Sequence, residues 1–259
     1  MTDELRIERD GEVVRVTFDR PHRHNAFTAA MYESMRGLTA ELAEDRSAQV
    51  VVFTGAGGRA FAAGNDIGDF AGRSTDDVLA YEADIRDLLL AIGALPQVTI
   101  AAVDGLCVGG GLAVASFCDL RLATASSRFG YPIARTLGNA LPARLVAQTV
   151  RVFGDSVTRQ MLLTSRLIDA ARADEVGALL QVCEDRGRLD EAVEQLVADL
   201  ALASRRTLRT TKAQLLDLGE PVIDHARDDE RLAAVYGHAD FTEGVRAFLA
   251  KERPRFDSP

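Results

Sequence analysis

Three consecutive glycines, Gly109-Gly110-Gly111, follow a short apolar run and open a segment of helical pattern. A helix start carries N–H groups with no intrahelical partner and the positive end of the peptide dipole. Glycine at that point lets a ligand come against the backbone. The combination suits an anion, or an oxygen on which negative charge develops during reaction. The spacing is neither GxGxxG nor GxxxxGK[ST], which argues against a dinucleotide or P-loop site. Upstream, Phe61-Ala62-Ala63-Gly64-Asn65-Asp66-Ile67 is a small-residue loop whose backbone groups can also meet a ligand. Each segment alone has a structural reading as well: a packing solution for the glycines, and a β–α loop in which Asp66 caps a helical turn.

The elements that must position these segments are legible from periodicity. Leu5 to Ile7, the turn pair Asp10-Gly11 and Val14 to Phe18 read as a hairpin. From Thr28 a helix places Met31, Met35, Leu38 and Leu42 on one stripe. Val50 to Phe53 and Thr99 to Val103 are short, β-branched apolar runs of the kind buried on both faces of a parallel sheet. Gly55 to Gly58 is a loop, and a second helix runs from near Asp76 to Leu95 before Pro96. Leu120 to Ala123 and Arg128-Phe129 are further short strands. Alternating strands and helices make the class α/β. Beyond about Pro142 strand signals fade and helices take over, with one apolar stripe at Ala192, Val193, Leu196, Val197 and Leu200 and another at Phe241, Val245, Phe248 and Leu249. An exposed stripe on a terminal helix packs either on its own core or on another subunit. The division expected is a core over residues 1–195 and a C-terminal helical oligomerisation region over 196–259.

Composition narrows the function classes. The 259 residues carry a net charge of -9, which argues against nonspecific nucleic-acid binding through phosphate neutralisation. It leaves room for a phosphorylated small ligand held by local arginines. No apolar run approaches the roughly 18 residues of a membrane span. Cys107, Cys118 and Cys183 form no CxxC pair and suit a reducing, cytoplasmic compartment. His22, His24, His225 and His238 lack metal-ligand spacing, and no nucleophile elbow is present.

Taken together, the segments resemble the crotonase, or enoyl-CoA hydratase/isomerase, superfamily over nearly the whole chain. Arg20-Pro21 with Asn25-Ala26-Phe27 is similar to its early RP…NAL signature, and Phe61 to Ile67 to its F-x-A-G-x-D-[IL] loop. Ile100 to Gly105, the three glycines and Cys118-Asp119-Leu120-Arg121 resemble its IAAV-x-G…GGG…CDLR block. Phe129-Gly130-Tyr131-Pro132 resembles F-G-x-P, and Tyr236 to Leu249 resembles the closing helix.

The resemblance implies a crotonase-type spiral of β-β-α repeats with a C-terminal helical trimerisation region, assembled as a homotrimer or a dimer of trimers. It implies a coenzyme A thioester as substrate and no tightly bound cofactor. The thioester oxygen would accept the backbone N–H groups of Asn65 and Gly110, so that an enolate is stabilised. The adenine end of the ligand would lie along Ala60 to Ile67, touching Ala60, Ala62, Ala63, Asp66 and Ile67. Arg23 reaches phosphates in this reading. Phe248 and Lys251 are further candidates, since in related enzymes a terminal Phe and Lys come from a neighbouring subunit.

The chain departs from the family's hydratases where they carry two glutamates: the matching positions are Ala113 and Ile133. A positioned acid or base contributes about 100- to 10,000-fold, so the two-glutamate route is closed. Three readings stay open. Another acid acts, with Asp69, Glu82 and Asp84 as candidates and Tyr81 and Tyr131 as alternative donors. Or the chain is a malonyl-type acyl-CoA decarboxylase, in which the Asn65 amide, Arg135 or Asn139 meets a carboxylate. Or it is a catalytically weak acyl-CoA-binding protein, for which an apolar pocket is expected.

Overall fold

The computed structural model describes residues 4–70, 72, 74–218 and 225–255. A six-stranded sheet has the order β1-β2-β3-β5-β7-β10, formed by β1 (Leu5–Asp10), β2 (Val13–Phe18), β3 (Val50–Gly55), β5 (Val98–Val103), β7 (Leu120–Thr124) and β10 (Gln181–Cys183). Among the described residues of this sheet, only the β1–β2 pair is antiparallel. A smaller sheet has the order β4-β6-β8-β9, from β4 (Ala60–Ala62), β6 (Leu106–Val108), β8 (Arg128–Gly130) and β9 (Ile168–Asp169).

The connection repeats. A strand of the large sheet is followed by a strand of the small sheet and then a helix: β3, β4 and α2 (Thr75–Ala94); β5, β6 and α3 (Gly110–Phe117); β7, β8 and α4 (Ile133–Thr136). Each such turn stacks on the last because its strands pair in parallel with their counterparts, Val51 opposite Thr99 and Ile100 opposite Leu120. This is the β-β-α spiral. The hairpin and α1 (Ala29–Glu44) precede it, and the Thr28 hydroxyl accepts the Met31 N–H to cap α1. Ser74 and Asp77 form a reciprocal capping box that starts α2.

Strand alternation divides the core. Val51, Phe53, Ala101 and Val103 face the main cluster with α1, α2 and α3. Val50, Val52, Ile100 and Leu122 face the other way and are covered by Leu189 and Val193 of α8 (Arg186–Ala201). That stripe therefore belongs to the sheet, and the 195/196 division falls inside α8. Phe27 and Phe61 meet Phe18 edge-on at centroid distances of 4.8 and 5.2 Å. Two strands lie beyond Pro142, where helices alone were expected. β9 has two residues and β10 three, each at a sheet edge, too short for alternation to register.

The C-terminal region comprises α9 (Arg205–Asp217), α10 (His225–Tyr236) and α11 (Ala239–Ala250). Its last stripe splits: Phe241 and Val245 are buried with Ile67, Val78, Leu137 and Tyr236, whereas Phe248 and Leu249 are half exposed. Cys107 in β6 and Cys118 at the end of α3 are free and buried. Burial pushes the Cys118 thiol up to about 12. Among the described residues no helix is long and apolar enough to cross a membrane.

Candidate active site

The loop after β4 crosses the start of α3 at close quarters. Gly64, at φ +89°, turns the chain; a Cβ there would stand 3.5 Å from the Gly110 nitrogen. Residues 63–66 are pinned from one side by residues 24–27. Ala63 N–H donates to the His24 carbonyl, Phe27 N–H to the Gly64 carbonyl and Asp66 N–H to the Phe27 carbonyl. Those bonds leave the Asn65 N–H without a partner among the described residues, and the Gly110 N–H at the first position of α3 is equally unpaired. Both residues line one cavity of about 430 Å³. An unpaired N–H on a loop beside an unpaired N–H at a helix start supplies the donors that a developing oxyanion needs.

The supports are polar and buried. Asn25 is fully buried at φ +56°, accepts the Arg20 N–H and donates from Nδ2 to the carbonyls of Ala56 and Ala60. Asn25→Ala is expected to lose about 3 kcal/mol, from orphaned buried partners and a left-handed backbone. Asn25→Gly loses less because glycine adopts that backbone freely. Thermal unfolding of the two variants checks this, and equal midpoints would contradict it. The Arg20 guanidinium donates to Asp66 at 2.8 Å. Burial pushes the Asp66 carboxyl up, but the bonds from Arg20 and Gly68 and the Arg23 charge outweigh it and hold the carboxyl below its ordinary range.

At the other end of α3, Arg121 donates to the carbonyls of Ala115, Cys118 and Asp119. A cation on those carbonyls complements the helix dipole whose positive end meets the cavity.

Asn65 is held by Tyr32 of α1, whose hydroxyl donates to Oδ1 at 2.6 Å. The space beside Gly110 is closed: a Cβ there would lie 2.6 Å from Asn65 Oδ1 and 2.9 Å from the Tyr32 hydroxyl. Ala113 and Ile133 both line the cavity, with Ile85, Leu141 and Leu145 as further apolar wall. The positions of the two missing glutamates thus face the ligand space as hydrocarbon.

Of the two carboxylates that line the cavity, Asp66 is paired with Arg20 and Glu82 stands in the apolar wall. Glu82, on α2, is 7% exposed and lines the cavity. Burial pushes its carboxyl up to about 7, and a hydrogen bond from the Tyr236 hydroxyl draws it part of the way back. Tyr236 lies on α10 and also takes a bond from Asn139 Nδ2 at 3.3 Å.

Asn65, Gly110, Glu82, Arg23, Ala63, Asp66, Ile67 and Phe248 all line the cavity. Ala60 and Ala62 do not: they are buried in β4 behind the loop. Arg135 is exposed on α4 and Lys251 ends α11 in a left-handed turn, and neither reaches the cavity. The Asp69 side chain lies outside the described residues, Asp84 is exposed, and Tyr131 is a core residue bonded by Thr149. Tyr32 and Tyr236 were missed by sequence reasoning. Tyr236 opens the closing-helix motif, and nothing local marks it as a partner of a residue 154 positions away.

The enoyl-CoA hydratase/isomerase family model matches residues 8–259. The 2,3-dehydroadipyl-CoA hydratase of Escherichia coli K12 is 32% identical over 256 residues, covering 98% of each chain. An enoyl-CoA hydratase/carnitine racemase from Magnetospirillum magneticum superposes with a TM-score of 0.80 at 32% identity, covering 100% of this chain and 97% of that one. A methylmalonyl-CoA decarboxylase in complex with 2-nitronate-propionyl-CoA superposes over 100% of both chains with a TM-score of 0.89, at 23% identity, and shares the fold.

Proposed function

The chain belongs to the enoyl-CoA hydratase/isomerase family, and from that premise we propose that it moves a proton at the carbon beside an acyl-CoA thioester, with Glu82 as its single acid–base group. The thioester oxygen accepts the N–H groups of Asn65 and Gly110. When ionised, Glu82 takes the proton from that carbon and the electron pair moves onto the oxygen as an enolate. When protonated, it returns the proton. In hydration, ionised Glu82 takes a proton from the water as its oxygen adds at the next carbon, the electron pair moves onto the thioester oxygen as the enolate, and Glu82 then returns that proton to the enolate carbon. A carboxyl near 7 populates both forms at neutral pH, which is where an acid–base group is most effective.

The observation that carries this reading is the buried carboxylate in the same cavity as the two unpaired N–H groups. A titratable wall also favours an enzyme over a binding protein. Arg23, with His22 and His24, is exposed along one side of the cavity and suits the phosphates of coenzyme A. Residues 196–259 are proposed as the oligomerisation region, supported by the exposed side chains of Leu202, Leu215 and Leu218.

A panel of crotonyl-CoA, a 3-enoyl-CoA and methylmalonyl-CoA, followed by mass spectrometry and chromatography, tests the reaction. Water gain on crotonyl-CoA or migration of the 3-enoyl double bond is expected. Loss of CO₂ from methylmalonyl-CoA with the other two untouched would replace the proton-transfer reading by decarboxylation.

A further inference from the structure

Tyr236 stands in the region expected only to assemble subunits, yet it is 4% exposed and anchored on four sides. Its hydroxyl donates to Oε1 of Glu82, lies 3.3 Å from the Ala140 carbonyl and receives the bond from Asn139. Its ring meets Phe241 of α11 edge-on at 4.8 Å. It also packs in the cluster that contains Ile67, at the end of the oxyanion loop. Oε1 is thus engaged by the protein. Oε2 has no partner among the described residues and is the oxygen left for the cavity.

We propose that Tyr236 is the positioning residue of the acid–base group: it fixes Oε1 of Glu82 so that the exchangeable proton is carried on Oε2, toward the substrate. The proposal rests on the reading of Glu82 given above. A carboxyl with two equivalent oxygens can rotate its proton away from the reacting carbon. A donor hydroxyl held by the Asn139 amide, with its ring fixed against Phe241, removes that freedom. The same bond favours the ionised form over the protonated one. The titratable groups interacting with Glu82 and its partner are Tyr32 from α1, Tyr81 on α2 and Tyr236 from α10; the cation in this set, Arg36, acts on Tyr32.

The test is Tyr236→Phe in the full-length protein, which keeps the ring against Phe241. Its pH–rate profile and carboxyl infrared band are compared with wild type, and Glu82→Gln identifies the Glu82 band. Loss of one donor should move the Glu82 transition upward by about one pH unit, with kcat about tenfold lower and KM within twofold. In the wild type, a tyrosine ring band should shift with the Glu82 transition and be silent in Glu82→Gln, a measurement that needs no Tyr236 variant. An unmoved Glu82 transition in Tyr236→Phe, or no tyrosine response in wild type, overturns the positioning role. Full turnover by Glu82→Gln instead removes Glu82 as the acid–base group, which is a separate result.

Discussion

Glu82→Gln is expected to lower turnover of the productive acyl-CoA by about 100- to 10,000-fold while leaving its dissociation constant within a few fold. Glutamine fills the same volume and still accepts from Tyr236, but it cannot exchange a proton. The same variant should be more stable than wild type in alkaline solution. Folding raises the Glu82 carboxyl from 4.5 to about 7, so the folded chain binds that proton more tightly than the unfolded one. The contribution to stability is complete below pH 4.5 and is lost as pH rises through about 7. At pH 8 the wild type therefore carries a buried charge that glutamine does not, worth about 3 kcal/mol. Thermal melts at pH 5 and pH 8 should show the variant gaining several degrees on wild type only at the higher pH. Turnover within twofold of wild type, or a gain independent of pH, would remove Glu82 from its assigned role. Activity and stability are expected to move in opposite directions at this residue, as they do where a buried ionisable group is kept for chemistry.

Gly110 gives the second large effect, and two variants separate its causes. Alanine keeps the N–H but brings a Cβ within 2.6 Å of Asn65 Oδ1 and 2.9 Å of the Tyr32 hydroxyl. Either the Tyr32–Asn65 bond breaks or the start of α3 moves, and turnover should fall about tenfold. Proline adds the same crowding and also deletes the donor. It is tolerated at the first helical position, so α3 should still form. An oxyanion donor contributes about 3 kcal/mol to the transition state, so Gly110→Pro should fall roughly a hundredfold below Gly110→Ala, with binding of a saturated acyl-CoA largely retained in both. Equal turnover in the two variants would mean that crowding accounts for the loss and that the Gly110 N–H donates to nothing that matters.

Much of this site is written locally. The loop at residues 61–67 and the glycines at 109–111 each carry their proposed role in consecutive residues, because backbone donors are set by where a helix begins and where a chain can turn. The α/β class followed from β-branched runs such as Val50 to Phe53, whose burial on both faces leaves no alternation to misread, whereas the spiral was implied only by the resemblance to the crotonase superfamily. β4 and β6 were not resolved as strands. They are three residues long, and the pairing of Ala60 with Leu106 and Ala62 with Cys107 depends on neighbours more than forty positions away. The side-chain partners were equally hidden. Tyr32 reads as one more aromatic beside the Met31–Met35 stripe, and its bond to Asn65 exists only once α1 lies across the loop. Glu82 was one of several acids on α2. Its exposed neighbour Asp84 differs from it by two positions and about 200° of helical rotation, and tertiary packing alone decides which of them is deprived of water.

Cys107 and Cys118 bracket α3, one in the strand before it and one at its last turn. Both are withheld twice: sealed from solvent, and kept as unreactive thiols by burial. An alkylating reagent at neutral pH meets them only when the segment between them leaves the core, so where alkylation is faster than reclosing the rate at which they are captured is the opening rate of α3. The chain carries its own clock for the integrity of its reaction centre, one that runs without substrate, cofactor or an introduced label.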